Sequence, residues 1–138
     1  MIKLQAPVVL VARLMLAFIF IVEGWSKIAT YEGTVQYMED HGVPGQLLPL
    51  VIVTELGGGL LIAAGFKTRL AALALAGFCL LTALLFHRNI GEISEFIHFT
   101  KDLSIAGGFL LLVAFGAGSW SLDALQAPHA SVSHHVWK

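Results

Sequence analysis

Residues 13–27 combine the apolar character of a membrane-spanning helix with three charged side chains, Arg13, Glu23 and Lys27. A transmembrane helix needs about 20 predominantly apolar residues, and the apolar segment at residues 6–28 is long enough. An arginine inside a bilayer costs from about 3 to more than 10 kcal/mol unless it faces protein or water. We therefore predict a membrane helix at residues 6–28 whose Arg13 faces other helices of the same protein.

The rest of the chain supplies further apolar segments of membrane-spanning length, at residues 47–66, 70–86 and 97–116. Charged residues make up only 12% of the 138 residues, against about a quarter in a soluble domain, and the mean hydropathy is +0.83. The sequence predicts an all-α polytopic membrane protein, a single bundle of four transmembrane helices at residues 1–118. The remaining residues, 119–138, are predicted to form a polar, flexible tail.

Composition also excludes several functions. The net charge is −1 and the Lys and Arg residues are scattered singly, so no basic face for nucleic acid is present. Because Cys79 is the single cysteine, the chain has no intrachain disulfide and no CxxC redox motif. We interpret His129, His134 and His135 as solvated residues of the tail.

The distribution of positive charge predicts an orientation. Four spans place both termini on one side of the bilayer, and the loops rich in Lys and Arg face the cytoplasm. Cytoplasmic termini would put Lys3, Lys67, Arg69 and Lys138 inside, against Lys27, Arg88 and Lys101 outside. The sequence therefore favours a bacterial inner-membrane protein with both termini in the cytoplasm.

Two charges are predicted to meet inside the bilayer. From the 1.5 Å rise per residue, Arg13 lies about 10 Å from the start of the first helix and Glu55 about 12 Å from the start of the second, antiparallel helix. In a core of about 30 Å these depths agree within roughly one turn, so we expect Arg13 and Glu55 to approach each other. Two interpretations are open: a structural ion pair, or a polar pocket or proton path.

A second polar group is predicted at the outer face, where Glu23 can reach Lys27 as an i,i+4 pair. His98 and Asp102 have the same spacing, so the carboxylate could orient the imidazole. His87 and His98 could converge with Glu92 or Glu95, but no spacing matches a recognised metal signature, and no metal is predicted. Ordinary interfacial polar residues and a site for a head group, a quinone or an anion both remain open. The candidate outer-face pocket comprises Glu23, Lys27, His87, His98, Lys101 and Asp102, with His41 and Arg88 nearby.

Several short motifs occur in a characteristic order along residues 8–124. They are Arg13 followed by Gly24-Trp-Ser-Lys27, the loop motifs at residues 33–38 and 42–44, Glu55, the segment from His98 to residue 112, Gly116-Ala-Gly118, and Ser121-Leu-Asp123. In this order they resemble the DoxX family of small four-helix bacterial membrane proteins. That resemblance implies a link to quinone redox chemistry, because the family is named for a subunit of a thiosulfate:quinone oxidoreductase.

Three functions are therefore open. The first is a membrane redox component that works with a quinone, alone or with a soluble or membrane partner subunit, and that has no covalent cofactor motif of its own. The second is a small transporter or proton-relay protein, suggested by Arg13 and Glu55. The third is a non-catalytic membrane partner or assembly factor, because glycine-rich helix faces favour close contacts with other helices, including those of a second copy.

Overall fold

The computed structural model describes residues 2–87, 89 and 91–128. Four of its helices are long and apolar enough to cross a membrane, which confirms the predicted all-α membrane fold. Arg88, His129, His134, His135 and Lys138 lie outside the described residues. The helices are α1 (Ile2–Ala29), α2 (Tyr31–Asp40), α3 (Gly45–Ala64), α4 (Thr68–Phe86), α5 (Ile93–Phe115) and α6 (Leu122–Gln126).

The four spans pack as two helix pairs, α1 with α3 and α4 with α5. The rings of Phe20 and Phe109 meet edge to face at 5.3 Å and join the two pairs. Around them lie buried apolar residues that include Ile62, Ala72 and Leu75. Many large apolar side chains point outward instead, as expected where lipid rather than water covers the helices.

α1 and α3 approach each other most closely at two glycines. A Cβ atom on Gly24 would lie 2.9 Å from the backbone nitrogen of Leu56, and one on Gly59 would lie 3.0 Å from Ile21. Leu56 belongs to a π-helical turn, Val53–Gly57, that interrupts α3. Since π-helical turns are rare and frequent at functional sites, the buried Glu55 within this turn is a candidate functional residue.

The bundle has two ends that differ in structure. The terminal end comprises the start of α1, the turn at residues 65–67 and residues 116–128, whereas the loop end comprises α2 and residues 87, 89, 91 and 92. α5 begins at Ile93 rather than near residue 97, so Glu95 belongs to this helix and not to the preceding loop. At the loop end, α5 therefore carries Glu95, a polar side chain that the sequence predicted to lie in a loop.

Residues 119–127 fold against the turn at residues 65–67 and the start of α4. The predicted flexible tail is therefore wrong for this part of the chain. The carboxylate of Asp123 accepts hydrogen bonds from the backbone nitrogens of Lys67 (2.8 Å) and Thr68 (2.9 Å) at the start of α4. The backbone nitrogen of Asp123 donates to the carbonyl oxygen of Gly65 at 2.8 Å. The two bonds to the Asp123 carboxylate satisfy amide groups that the start of a helix leaves unpaired.

Candidate functional site

Arg13 lies at the terminal end and binds backbone carbonyls rather than a carboxylate. Its Nη1 donates to the carbonyl oxygen of Ala117 at 3.0 Å and its Nη2 to that of Trp120 at 2.9 Å. The side chain is only 1% exposed. The predicted pair with Glu55 is therefore wrong, because the chain beyond α5 folds back and supplies the acceptors that Arg13 needs.

Glu55 pairs instead with Lys27 at the last turn of α1. Nζ of Lys27 donates to Oε1 of Glu55 at 3.1 Å, and Oε2 lies 2.9 Å from Nζ without hydrogen-bond geometry. Glu23 contacts the same ammonium at 3.4 Å, as its i,i+4 spacing predicted. The close approach at Gly24 puts the π-helical turn beside Lys27, which explains why this lysine and not Arg13 reaches Glu55.

A cavity of about 990 Å³ opens at the loop end between all four spans and α2. This volume lies at the upper end of the range of about 300–1,000 Å³ that is typical of small-molecule sites. Its walls are largely apolar and aromatic, and they include Phe20, Phe78, Leu85, Phe86 and Ile105. Glu55 and every residue of the predicted outer-face pocket line it: Glu23, Lys27, His87, His98, Lys101 and Asp102.

The second polar side of this cavity is built around His87, the residue that follows α4. Its Nδ1 lies 3.0 Å from Oε2 of Glu95, and its Nε2 lies 3.9 Å from Oδ2 of Asp102. The ring of His98 stacks on that of His87, with centroids 5.0 Å apart. The predicted orientation of His98 by Asp102 is not what the structure shows, because Asp102 turns toward His87.

One oxygen of this cluster is left without a partner. Oδ2 of Asp102 is buried and has no hydrogen-bond partner among the described residues. It lies beyond hydrogen-bond distance of Nε2 of His87, so a direct hydrogen bond between them requires a small side-chain movement or a bridging water. Asp102 therefore keeps a buried, unpaired oxygen that lies 3.9 Å from Nε2 of His87.

α2 covers the loop end of the cavity. The ring of Tyr37 stacks on Phe86 with centroids 5.5 Å apart and an interplanar angle of 15°. The next residue of α2, Met38, is buried. Burial raises the pKa of the Tyr37 phenol, the negative charge of Glu95 adds to this rise, and Lys27 opposes it. The phenol is therefore a hydrogen-bond donor at neutral pH, at a position that lines the cavity.

The donor set of the cavity includes an ammonium group that can donate to a neutral polar ligand. In the part of the chain that the structure describes, no group of three or more His, Cys, Asp or Glu side chains is arranged so that it could hold a metal ion. The ammonium of Lys27 has three N–H donors, and it contacts the carboxylates of Glu23 and Glu55. Its remaining donor capacity could serve a ligand carbonyl.

Sequence reasoning placed Glu95 in a loop and raised it only as an alternative to Glu92 that could converge with His87 and His98, and it missed the acceptors of Arg13. Glu95, His98 and Asp102 are spaced i, i+3 and i+7, which places them on one helix face, but this pattern is visible only if α5 begins before Glu95. The acceptors of Arg13 are main-chain oxygens of residues 117 and 120. No residue type in the sequence could have identified them.

Comparison with known proteins places these features in a family. The sequence matches the DoxX family over residues 8–88. It is 55% identical to the inner membrane protein YqjF of Escherichia coli over 89% of this chain and 95% of that protein. It is 39% identical to the inner membrane protein YphA of the same organism, over 83% of this chain and 86% of that protein.

A third relative shares a shorter segment. CatD of Bacillus subtilis, whose name marks it provisionally as an oxidoreductase, is 34% identical over 49% of this chain and 50% of that protein. The chain has no significant match among solved structures. The family match covers more than half of the chain, and two relatives match it over most of their own length. The chain therefore belongs to the DoxX family of membrane proteins.

Proposed function

We propose that this protein binds a quinone in the loop-end cavity and acts, with a partner protein, as a quinone-linked redox component of the bacterial inner membrane. The observation that carries this proposal is the composition of the cavity wall, which is mostly apolar and aromatic but has polar groups on two sides. A quinone has the same character, since a flat apolar ring carries two carbonyl oxygens that accept hydrogen bonds.

The donors of the cavity fit such a head group. Lys27 could donate to one carbonyl oxygen, and Tyr37 or a histidine could donate to the other. The aromatic side chains of Phe20, Phe78 and Phe86 offer flat surfaces on which a ring can stack. α2 forms one wall of the cavity and limits the access of water from that side only, because the cavity remains open at the loop end.

A bound quinone would supply the two-electron couple that this chain has no dithiol to provide. The protein's contribution is to bind and orient the head group, and the electrons would come from or go to a partner. The relative named as an oxidoreductase supports a redox role, although it shares only about half of this chain.

Photoaffinity labelling tests the binding site. An azido-quinone should label peptides of α2 and the loop-end halves of α1 and α4 in protein reconstituted in nanodiscs, and excess unlabelled quinone should suppress this labelling. The double variant Lys27→Met/Glu55→Leu removes both charges of the ion pair together and should weaken labelling. Labelling that is spread over both ends and resists competition would refute the proposed site.

We also propose that the terminal end faces the cytoplasm. Lys67 is exposed in the short turn before α4 and Arg69 is exposed in the first turn of that helix, at positions where positive charge favours the cytoplasmic side. A membrane-impermeant maleimide should label an Asp40→Cys variant in intact spheroplasts. It should label a Gln126→Cys variant only after permeabilisation, and the reverse pattern would overturn this orientation.

A second candidate function is proton-coupled transport. It is favoured by Glu55, an acidic residue that is buried within a span and lines a cavity, because such residues often mark ion or proton pathways. In this case Glu55→Gln should abolish a proton flux in proteoliposomes that the wild type supports. Equal fluxes in the two proteins would exclude it.

A further inference from the structure

We infer that Glu95, His87 and Asp102 form a proton relay that connects the aqueous loop end with the interior of the cavity. This inference rests on the proposed quinone site, because it assigns the route by which protons reach a ligand bound there. Three features of the cluster carry it: the positions of the two carboxylates along α5, the two ring nitrogens of His87, and the unpaired oxygen of Asp102.

The two carboxylates of the cluster differ in their position along α5. Glu95 lies in the first turn of α5, and its side chain is 27% exposed, whereas the side chains of His87 and Asp102 are 15% and 21% exposed. Asp102 follows on the same face two turns later, which is about 10 Å deeper at 1.5 Å per residue. His87 contacts both carboxylates from the end of α4. The imidazole therefore bridges a surface carboxylate and a carboxylate within the span.

The two nitrogens of His87 have different partners, as a relay requires. Nδ1 lies within hydrogen-bond distance of Glu95, whereas Nε2 faces Asp102 across a gap of 3.9 Å. Imidazole can take a proton at one nitrogen and release one from the other. Transfer across the longer gap needs a bridging water or a small side-chain movement, and Oδ2 of Asp102 has no other partner among the described residues that would compete.

Other charged and titratable groups surround this route and set its electrostatics. They come from every element that forms the cavity: Glu23 and Lys27 on α1, Tyr37 on α2, Glu55 on α3, Cys79 on α4, and His98 and Lys101 on α5. Lys27 is already neutralised by Glu55 and Glu23. His98 stacks on His87 and has no hydrogen bond to Asp102, so it supports the ring without forming a second route.

The chemical step can be written with a one-electron reductant. Two reduced viologen radicals each give one electron to the bound quinone and become dications, while two protons enter from water and the quinone becomes a quinol. The relay provides these protons. Each passes from Glu95 to Nδ1 of His87, while Nε2 releases a proton through Asp102 toward the ligand, and the imidazole then returns to its first tautomer.

The test uses protein in nanodiscs that carry one short-chain quinone per protein, with reduced methyl viologen as the reductant and a pH dye to follow proton uptake. His87→Asn should slow quinol formation and proton uptake on the order of 100-fold, the size typical of a lost acid–base group. Added imidazole should restore much of the rate by carrying protons in place of the missing side chain. His41→Asn is the matched control, since His41 is exposed and hydrogen-bonded to the Tyr37 carbonyl oxygen outside the relay.

Glu95→Gln gives an independent second variant at a partly exposed position, in case His87→Asn does not fold. Slow quinol formation that imidazole rescues, with photolabelling unchanged, supports the relay. Wild-type rates in both variants overturn it, and so does a slow rate that imidazole does not rescue, which would indicate a structural role. If the wild type itself retains no quinone, the proposed function fails and the relay fails with it.

Discussion

Nζ of Lys27 lies 2.9 Å from Oε2 of Glu55, and this contact ties the last turn of α1 to the π-helical turn of α3. The side chain of Glu55 is 6% exposed and that of Lys27 is 21% exposed. The two partners therefore differ in their counter-ions. Lys27 also contacts the exposed Glu23, whereas Glu55 contacts Lys27 as its counter-ion. Removal of the lysine leaves a buried carboxylate without a counter-ion.

Lys27→Met should lower the free energy of unfolding by about 3–5 kcal/mol, the usual cost of breaking a buried ion pair from one side. The double variant Lys27→Met/Glu55→Leu should regain most of this loss, because no uncompensated charge remains. Unfolding in mixed micelles with increasing SDS measures both. Lys101→Met, at an exposed lysine of the same cavity, is the control and should change stability by less than about 0.5 kcal/mol. Equal losses at the two lysines would contradict this account.

Gly24→Ala should destabilise the α1–α3 pair by about 1–3 kcal/mol, as overpacking usually does. The added methyl group would lie 2.9 Å from both the backbone nitrogen and Cβ of Leu56, so one helix would have to move. The same SDS titration measures the effect. Gly107→Ala is the matched control, because a methyl group added there would meet no neighbouring atom within 4 Å; a comparable loss there would attribute the effect to glycine in general and not to the helix contact.

The spans could be predicted from the sequence because a bilayer imposes a minimum apolar length on every helix. The partner of Glu55 could not be predicted in this way, because depth in the bilayer favoured Arg13 whereas Lys27 is the residue that reaches Glu55. That choice depends on the close approach at Gly24 and on the folded segment after α5. A prediction that treats this segment as flexible leaves Arg13 without its carbonyl acceptors, and a carboxylate at similar depth then becomes the obvious partner.

Arg13→Met should release the segment at residues 116–128 while leaving the loop-end cavity intact. The variant loses two hydrogen bonds from a charged donor, each worth about 1.5–3 kcal/mol. Hydrogen exchange should therefore become faster at the amides of residues 116–128, but not at those of α2. Photolabelling by the azido-quinone should match that of the wild type. Reduced labelling together with unchanged exchange would show that Arg13 serves the ligand site and not the terminal end.

The contact of Asp123 with the start of α4 should make the terminal end sensitive to acid. Burial alone would raise the pKa of Asp123, but hydrogen bonds from Thr68 and Lys67 and the positive charge of Arg13 outweigh it and lower the pKa below its ordinary value. A carboxyl group with a lowered pKa stabilises the fold fully above its unfolded pKa of about 3.9, and this contribution is lost as the pH falls through the folded pKa.

Protease cleavage within residues 116–128, followed against pH, measures this contribution. The wild type should resist cleavage at neutral pH and lose protection below about pH 4. Asp123→Ala should be cleaved more readily at neutral pH, by the equivalent of about 1 kcal/mol for a lost helix cap, and its cleavage should depend less on pH in the acid range. Glu32→Ala, at an exposed carboxylate on α2, should keep the wild-type profile. If Asp123→Ala shows the same pH dependence of cleavage as the wild type, a different titratable group makes the terminal end sensitive to acid.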